Sequence, residues 1–169
     1  RKLNNMRLKK IIKQLEGKFP LELAEEWDNV GLLLDSTRRE IKSIMLCLDI
    51  TRDVVDKAVA NKVDLIISHH PFIFSPLKKI TTDEVNGEKI LKLARNNIAV
   101  YSMHTNIDSG IGGLNDFIIK KIGQEGKVFA ISNNRSIELR KLVTSDLIDA
   151  KDKIINPLRI QKLKSAITI

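Results

Sequence analysis

The sequence predicts an α/β fold, a mostly parallel or mixed sheet with helices packed on its faces. Three observations carry this. Short apolar strands alternate with helix-length amphipathic stretches, as a parallel sheet with crossover helices requires. The apolar content is aliphatic, because aromatic residues make up only 4% of the chain. The balance of 43% hydrophobic to 30% charged residues is that of a globular protein rather than a disordered one. With 169 residues the chain is long enough for one ordinary domain with a real core. Residues 6–169 are read as that domain, and the polar segment Arg1 to Asn5 as an extension.

The elements follow in order. Met6, Leu8, Ile11, Ile12 and Leu15 recur at helical spacing over 6–17, with Gly17 as a C-terminal stop. A polar loop over 20–31 holds the only tryptophan, Trp27, and Leu32 to Leu34 is a short strand. Ile41 to Ile50 reads as a strand running up to Asp49. Thr51 can then cap a helix reaching about Asn61, with Asp53 in its first turn. Val63 to Ser68 is a buried strand ended by His69-His70-Pro71. Glu84 to Asn96 is the next helix and Ile98 to Met103 the next strand, ending at His104. A further helix lies within 111–122, after Gly112-Gly113. A strand over 136–143, a helix over 145–155 and an unpaired terminal strand within 160–169 complete the expectation.

Composition narrows the function classes. The single cysteine, Cys47, excludes an intrachain disulfide framework, and its setting in Ile44-Met45-Leu46-Cys47-Leu48 reads as a structural strand thiol. No secretory h-region and no long apolar run is present, so a cytoplasmic protein that does not span a membrane is expected. The net charge of +8 is uneven, since residues 120–169 carry 11 of the 29 Lys and Arg but 5 of the 21 Asp and Glu. A basic surface attracts phosphates, yet no run of five basic residues occurs, and the scarcity of aromatics argues against base stacking. A solvated surface is the simpler explanation; a nucleic-acid partner has weak support. Phosphate-loop, dinucleotide, nucleophile-elbow and Cys-x-x-Cys motifs are all absent.

The three histidines carry the signal. His69 and His70 end one expected strand and His104 ends the next. Ligands of open α/β sheets bind outside the carboxyl ends of the strands, so the scarcest titratable side chain is concentrated at the favoured edge. Adjacent residues of a regular strand face opposite ways. Pro71 stops the strand and keeps His70 extended, which lets both imidazoles serve one site. His104-Thr105-Asn106-Ile107-Asp108 adds a carboxylate four residues on, followed by Gly110, Gly112 and Gly113 for a tight turn. Three imidazoles and one carboxylate form a nitrogen and oxygen ligand set suited to Zn, Fe, Mn or Co rather than Ca or Mg. Asp49 either orients a ligand imidazole or caps the helix at Thr51. Asp28 and Asn29 either line a pocket or belong to an ordinary loop.

These residues resemble a known family. Glu26-Trp27-Asp28-Asn29-Val30-Gly31-Leu32, Ser68-His69-His70-Pro71 and His104-Thr105-Asn106-Ile107-Asp108 are similar, in order, to motifs of the NIF-three-like family. Its members are the dinuclear-metal proteins named as type 2 homologues of GTP cyclohydrolase I. The resemblance runs from about Met6 to Asp116. It implies two divalent transition-metal ions per subunit, a ring-shaped homohexamer and a small-molecule, nucleotide-type substrate. It also implies His69, His70 and Asp108 as metal ligands, Asp108 commonly bridging, with His104 at the site. The expected activity is hydrolysis by a metal-activated water. The alternative is a non-enzymatic metal-binding regulatory or interaction protein. The family also draws a histidine and a glutamate from a C-terminal motif. This chain has no histidine after His104 and no glutamate after Glu138, so an incomplete C-terminal part is expected.

Overall fold

The computed structural model describes residues 6–38, 40–121, 129–131 and 166–168. They fall into two units, Arg1–Asn106 and Ile107–Ile169.

The first unit is built on a four-stranded mixed sheet. Its strands are β2 (Gly31–Leu34), β4 (Ile44–Cys47), β5 (Leu65–Ser68) and β6 (Ala99–Ser102), in the spatial order β2-β6-β5-β4. Strands β4, β5 and β6 run parallel, with Cys47, Ser68 and Ser102 level with one another. Strand β2 runs antiparallel to β6, pairing Gly31 with Ser102. Helices α2 (Arg52–Ala60) and α3 (Val85–Arg95) make the two crossovers. They pack Val55, Ala58, Ile90 and Leu93 against Ile66 and Val100, and this cluster is the core. By strand alternation Leu65 and Tyr101, also fully buried, point to the other face. Among the described residues no helix is long and apolar enough to cross a membrane.

Helix α2 starts as expected, with the Thr51 hydroxyl accepting the Val54 N–H at 3.2 Å. Helices α2 and α3 then end alike. Val63 N bonds to Ala58 O at 2.9 Å and Lys62 N to Val59 O at 3.1 Å. Ile98 N bonds to Leu93 O and Asn97 N to Ala94 O, each at 3.0 Å. Both are Schellman closures with a non-glycine residue in the left-handed region, Lys62 at φ 51° and Asn97 at φ 59°. Buried Val63 and Ile98 then lead into β5 and β6.

Two expectations need correction in this unit. The segment from Ile41 to Ile50 is not one strand. The buried Asp64 carboxylate accepts the N–H groups of Lys42 at 2.7 Å and Ser43 at 3.0 Å and pairs with Arg38. These bonds interrupt the ladder, so β3 (Glu40–Ile41) pairs instead with β1 (Met6–Arg7). Gly17 does not stop the first helix, α1 (Leu8–Lys18). The chain turns at Phe19, whose N–H bonds to Leu15 O at 2.7 Å and whose ring is buried.

In the second unit, helix α4 (Thr105–Ser109) carries across the boundary and is followed by α5 (Leu114–Lys121). The turn between them requires glycine, since a Cβ on Gly113 would stand 1.9 Å from Ile107 O. Strand β7 (Phe129–Ile131) pairs antiparallel with β8 (Ala166–Thr168). The terminal strand expected to be unpaired therefore has a partner. The strand and helix expected over 136–143 and 145–155 lie outside the described residues.

Candidate metal centre

Parallel strands deliver their carboxyl ends to one edge, and the site stands there. His69 and His70 follow the last residue of β5. His104 lies two residues beyond the last residue of β6, the same offset as His70 from its strand. Their backbone is pinned from beneath by two buried serines. Ser68 Oγ donates to His70 O at 2.9 Å, which spends its one hydrogen, so Ser102 Oγ–H donates to Ser68 Oγ at 2.8 Å. Ser102 Oγ also accepts Phe72 N–H at 3.3 Å, closing the turn through Pro71. Asn106, fully buried, fixes the other histidine. It accepts His104 N–H at 3.0 Å while its amide donates to Phe19 O at 3.1 Å.

The three imidazoles converge. One ring nitrogen from each of His69, His70 and His104 lies within 4.8 Å of the other two. Ring centroids are 5.1 Å apart for His69–His70 and His69–His104, and 5.6 Å for His70–His104. Three imidazoles crowded in this way put a ring nitrogen each within reach of one ion, the donor set of a transition-metal site.

Two carboxylates set the tautomers. His70 Nδ1 is 2.7 Å from Asp49 Oδ1, and His104 Nδ1 lies 3.0 and 3.1 Å from the two oxygens of Asp28. An ionised carboxylate only accepts. Each Nδ1 therefore carries the hydrogen, and each Nε2 keeps its lone pair for a metal. Asp28 is the more deeply held of the two. Its side chain is 0% exposed and also accepts Asn29 N–H at 2.8 Å, Thr105 N–H at 3.1 Å and the Thr105 hydroxyl. Burial alone raises its carboxyl, but the bonds from Thr105 and His104 outweigh it and hold the group below the ordinary value.

Of the sequence candidates, the structure brings His69, His70 and His104 together. Asp108 lies on α4, in the second unit. Asp49 orients an imidazole, while Thr51 does the capping. Asp28, which the sequence reads as ordinary loop ahead of pocket lining, holds His104. The signal that could have found it is β2, because an antiparallel neighbour of β6 brings its own amino end to the same edge. Half-exposed Trp27 stands edge-on to His104 and to Phe74, at 6.1 Å from each. The Cys47 thiol has its pKa raised by burial and by Asp49, which disfavours the thiolate.

A family profile described as Duf34/NIF3 (NGG1p interacting factor 3) matches residues 6–167. The chain belongs to that family. A Clostridium acetobutylicum protein named GTP cyclohydrolase 1 type 2 homolog is 34% identical over 169 residues, covering 95% of this chain. The NIF3-like protein 1 of Drosophila melanogaster is 41% identical over 120 residues, covering 70% of this chain. The NIF3-family chain spans 62% of the Clostridium relative's length and 41% of the Drosophila relative's. Solved structures agree with the fold. A Bacillus cereus protein related to NIF3 superposes with a TM-score of 0.65 at 34% identity, over 78% of this chain and 40% of its own. Reduced HcgD from Methanocaldococcus jannaschii gives 0.68 at 31%, over 89% and 61%. The mixed α/β architecture is thus shared between this chain and solved NIF3-related structures.

Proposed function

We propose that this chain is a metal-dependent hydrolase of the GTP cyclohydrolase type 2 kind, built around a dinuclear centre with His69, His70, His104 and Asp108 as ligands. The observation that carries it is the convergence of three imidazoles within 4.8 Å, two of them held by carboxylates in the metal-binding tautomer. The donor set fits Zn, Fe, Mn or Co. When bound, such ions supply Lewis acidity and a water that ionises near neutral pH. The chain's own groups do the rest. Asp28 and Asp49 keep His104 and His70 in register and make them better donors. The serine pair and Asn106 hold both strand ends rigid. Trp27, half exposed, stands edge-on beside His104. A cytoplasmic homo-oligomer, hexameric as the family resemblance implies, completes the proposal, and light scattering tests its size.

Metal content per chain of gently purified protein, measured by elemental analysis, is the deciding experiment. About two ions per chain, with GTP turnover abolished in folded His70→Ala and Asp108→Ala, is the expected result. No bound metal, or undiminished turnover in both variants, removes the proposal. The second reading, a metal-binding interaction protein, is favoured by the family description, which names an interacting factor. Binding to a partner would survive without turnover. Where phosphate contacts drive it, it would weaken steeply with salt.

A further inference from the structure

A cleft of 520 Å3 opens beside the histidine cluster, with His70 and Asp49 among its lining residues. This volume lies within the range of about 300–1,000 Å3 typical of small-molecule sites. Much of the lining is apolar and includes two flat rings, Phe72 and Phe74, the second of which meets Trp27 edge-on. Lys89, from α3, is the one lysine or arginine among the lining residues.

Lys89 differs from its neighbours. Arg52 is paired with Glu88, Lys92 with Asp56 and Lys57 with Asp53. Among the described residues no carboxylate forms an ion pair with Lys89. Its ammonium donates to the Ile50 carbonyl at 2.8 Å and lies 5.5 Å from the centre of the Phe72 ring. An ammonium has three donors, and the carbonyl takes one. The group is half-buried, and burial with Arg52 nearby lowers its pKa, against a smaller opposing pull from Asp49. A half-buried cation with no ion-pair partner among the described residues, on the wall of a cleft of mixed polar and apolar lining, is stabilised by an anion that enters the cleft.

We propose that this cleft binds the substrate of the metal centre, and that it takes a small molecule with a flat apolar body and a phosphate or carboxylate held by Lys89. The inference rests on the metal-centre function proposed above, because His70 is shared by both. The rings supply apolar area and edge or face contacts for the body, and Lys89 supplies the charge-assisted bond.

The test uses phenyl phosphate and benzoate as probes, with phenol as the neutral control. Each is titrated into the full chain, both chelator-treated and metal-loaded. The fluorescence of Trp27, the only tryptophan, reports binding, and calorimetry checks it. Saturable binding of either anion to chelator-treated protein is expected, with phenol far weaker. Stronger binding of phenyl phosphate assigns the subsite to phosphate, and stronger binding of benzoate assigns it to carboxylate. Lys89→Met should weaken anion binding by about tenfold or more, and Lys89→Arg should restore it. His69→Ala should leave anion binding to the chelator-treated protein intact. Lys89→Gln replaces Lys89→Met if the latter does not fold. Unchanged affinity in the neutral variant overturns the proposal, as does binding seen only with metal and lost in His69→Ala. Metal content of wild type and Lys89→Met is measured in parallel and should be equal. A failure of the metal centre thus shows as absent metal with anion binding intact, apart from any failure of the cleft.

Discussion

Replacing Asp28 by asparagine should weaken metal binding by about 10- to 100-fold while leaving the fold in place, the cost typical of losing a carboxylate behind a metal-binding histidine. That corresponds to about 1.4–2.7 kcal/mol. The structure explains why an isosteric change is so costly. Every hydrogen-bond contact described for the carboxylate is with a donor. Oδ1 receives Asn29 N–H and His104 Nδ1–H, and Oδ2 receives the Thr105 N–H and hydroxyl together with a second contact from His104 Nδ1–H. An asparagine must turn its NH2 toward one of these pairs. Facing His104, it donates to Nδ1 and drives the hydrogen to Nε2, which removes the lone pair a metal needs. Facing Thr105, it leaves the backbone N–H without an acceptor, at about 1–3 kcal/mol. Competition against a chromophoric chelator measures the affinity, and a melting curve of the metal-free protein separates stability from binding. Thr105→Val is the companion variant. It removes one donor to Asp28, spares the Nδ1 contact and should bind metal more tightly than Asp28→Asn. A folded Asp28→Asn protein with wild-type metal affinity would refute the tautomer reasoning.

Further outcomes are expected at four residues. Tyr101 is the only tyrosine, and burial, aided by the charge of Glu16, pushes its pKa from 10.0 up to about 12. The unfolded chain releases this proton first, so its contribution to stability is complete below pH 10 and lost as pH rises toward about 12. Phenolate absorbance in a spectrophotometric titration reads this residue alone. The Tyr101 hydroxyl is also buried without a hydrogen-bond partner among the described residues, so Tyr101→Phe should stabilise the protein by about 1 kcal/mol in urea denaturation. Gly87 lies inside α3, where alanine normally gains about 1 kcal/mol. Its Cβ would stand 2.2 Å from Thr81 O, so Gly87→Ala should instead lower the melting temperature. Lys62→Gly should raise it by relieving about 1 kcal/mol of left-handed backbone strain, with Asn97→Gly gaining less because asparagine tolerates that region.

The alternation of strand and helix made β4, β5, β6, α2 and α3 legible, because each follows from local periodicity and capping. The histidine site was legible for the same reason, since strand ends followed by His-His-Pro or His-Thr-Asn define one edge of a parallel sheet. What stayed hidden depends on contacts distant in the chain. Asp28 is 76 residues from His104, and nothing in its loop declares that partner. The break at Lys42-Ser43 depends on Asp64, 22 residues from Lys42. A sequence pattern places apolar residues on a face, but it does not say which buried carboxylate will claim which N–H. Gly17 misled because a glycine near a helix end resembles a stop, while the anchor that ends α1 is the buried ring of Phe19.

The matching Schellman corners after α2 and α3 work as a length gauge. The chain takes three residues from Lys62 to reach Leu65 and two from Asn97 to reach Ala99, its partner across the sheet, and this fixed difference keeps Ser68 and Ser102 level. A single deletion in either corner would slide one strand by about 3.3 Å and turn its side chains to the other face. Substitution should therefore be tolerated at these corners far better than any change of length, although both are surface loops where insertions are ordinarily harmless.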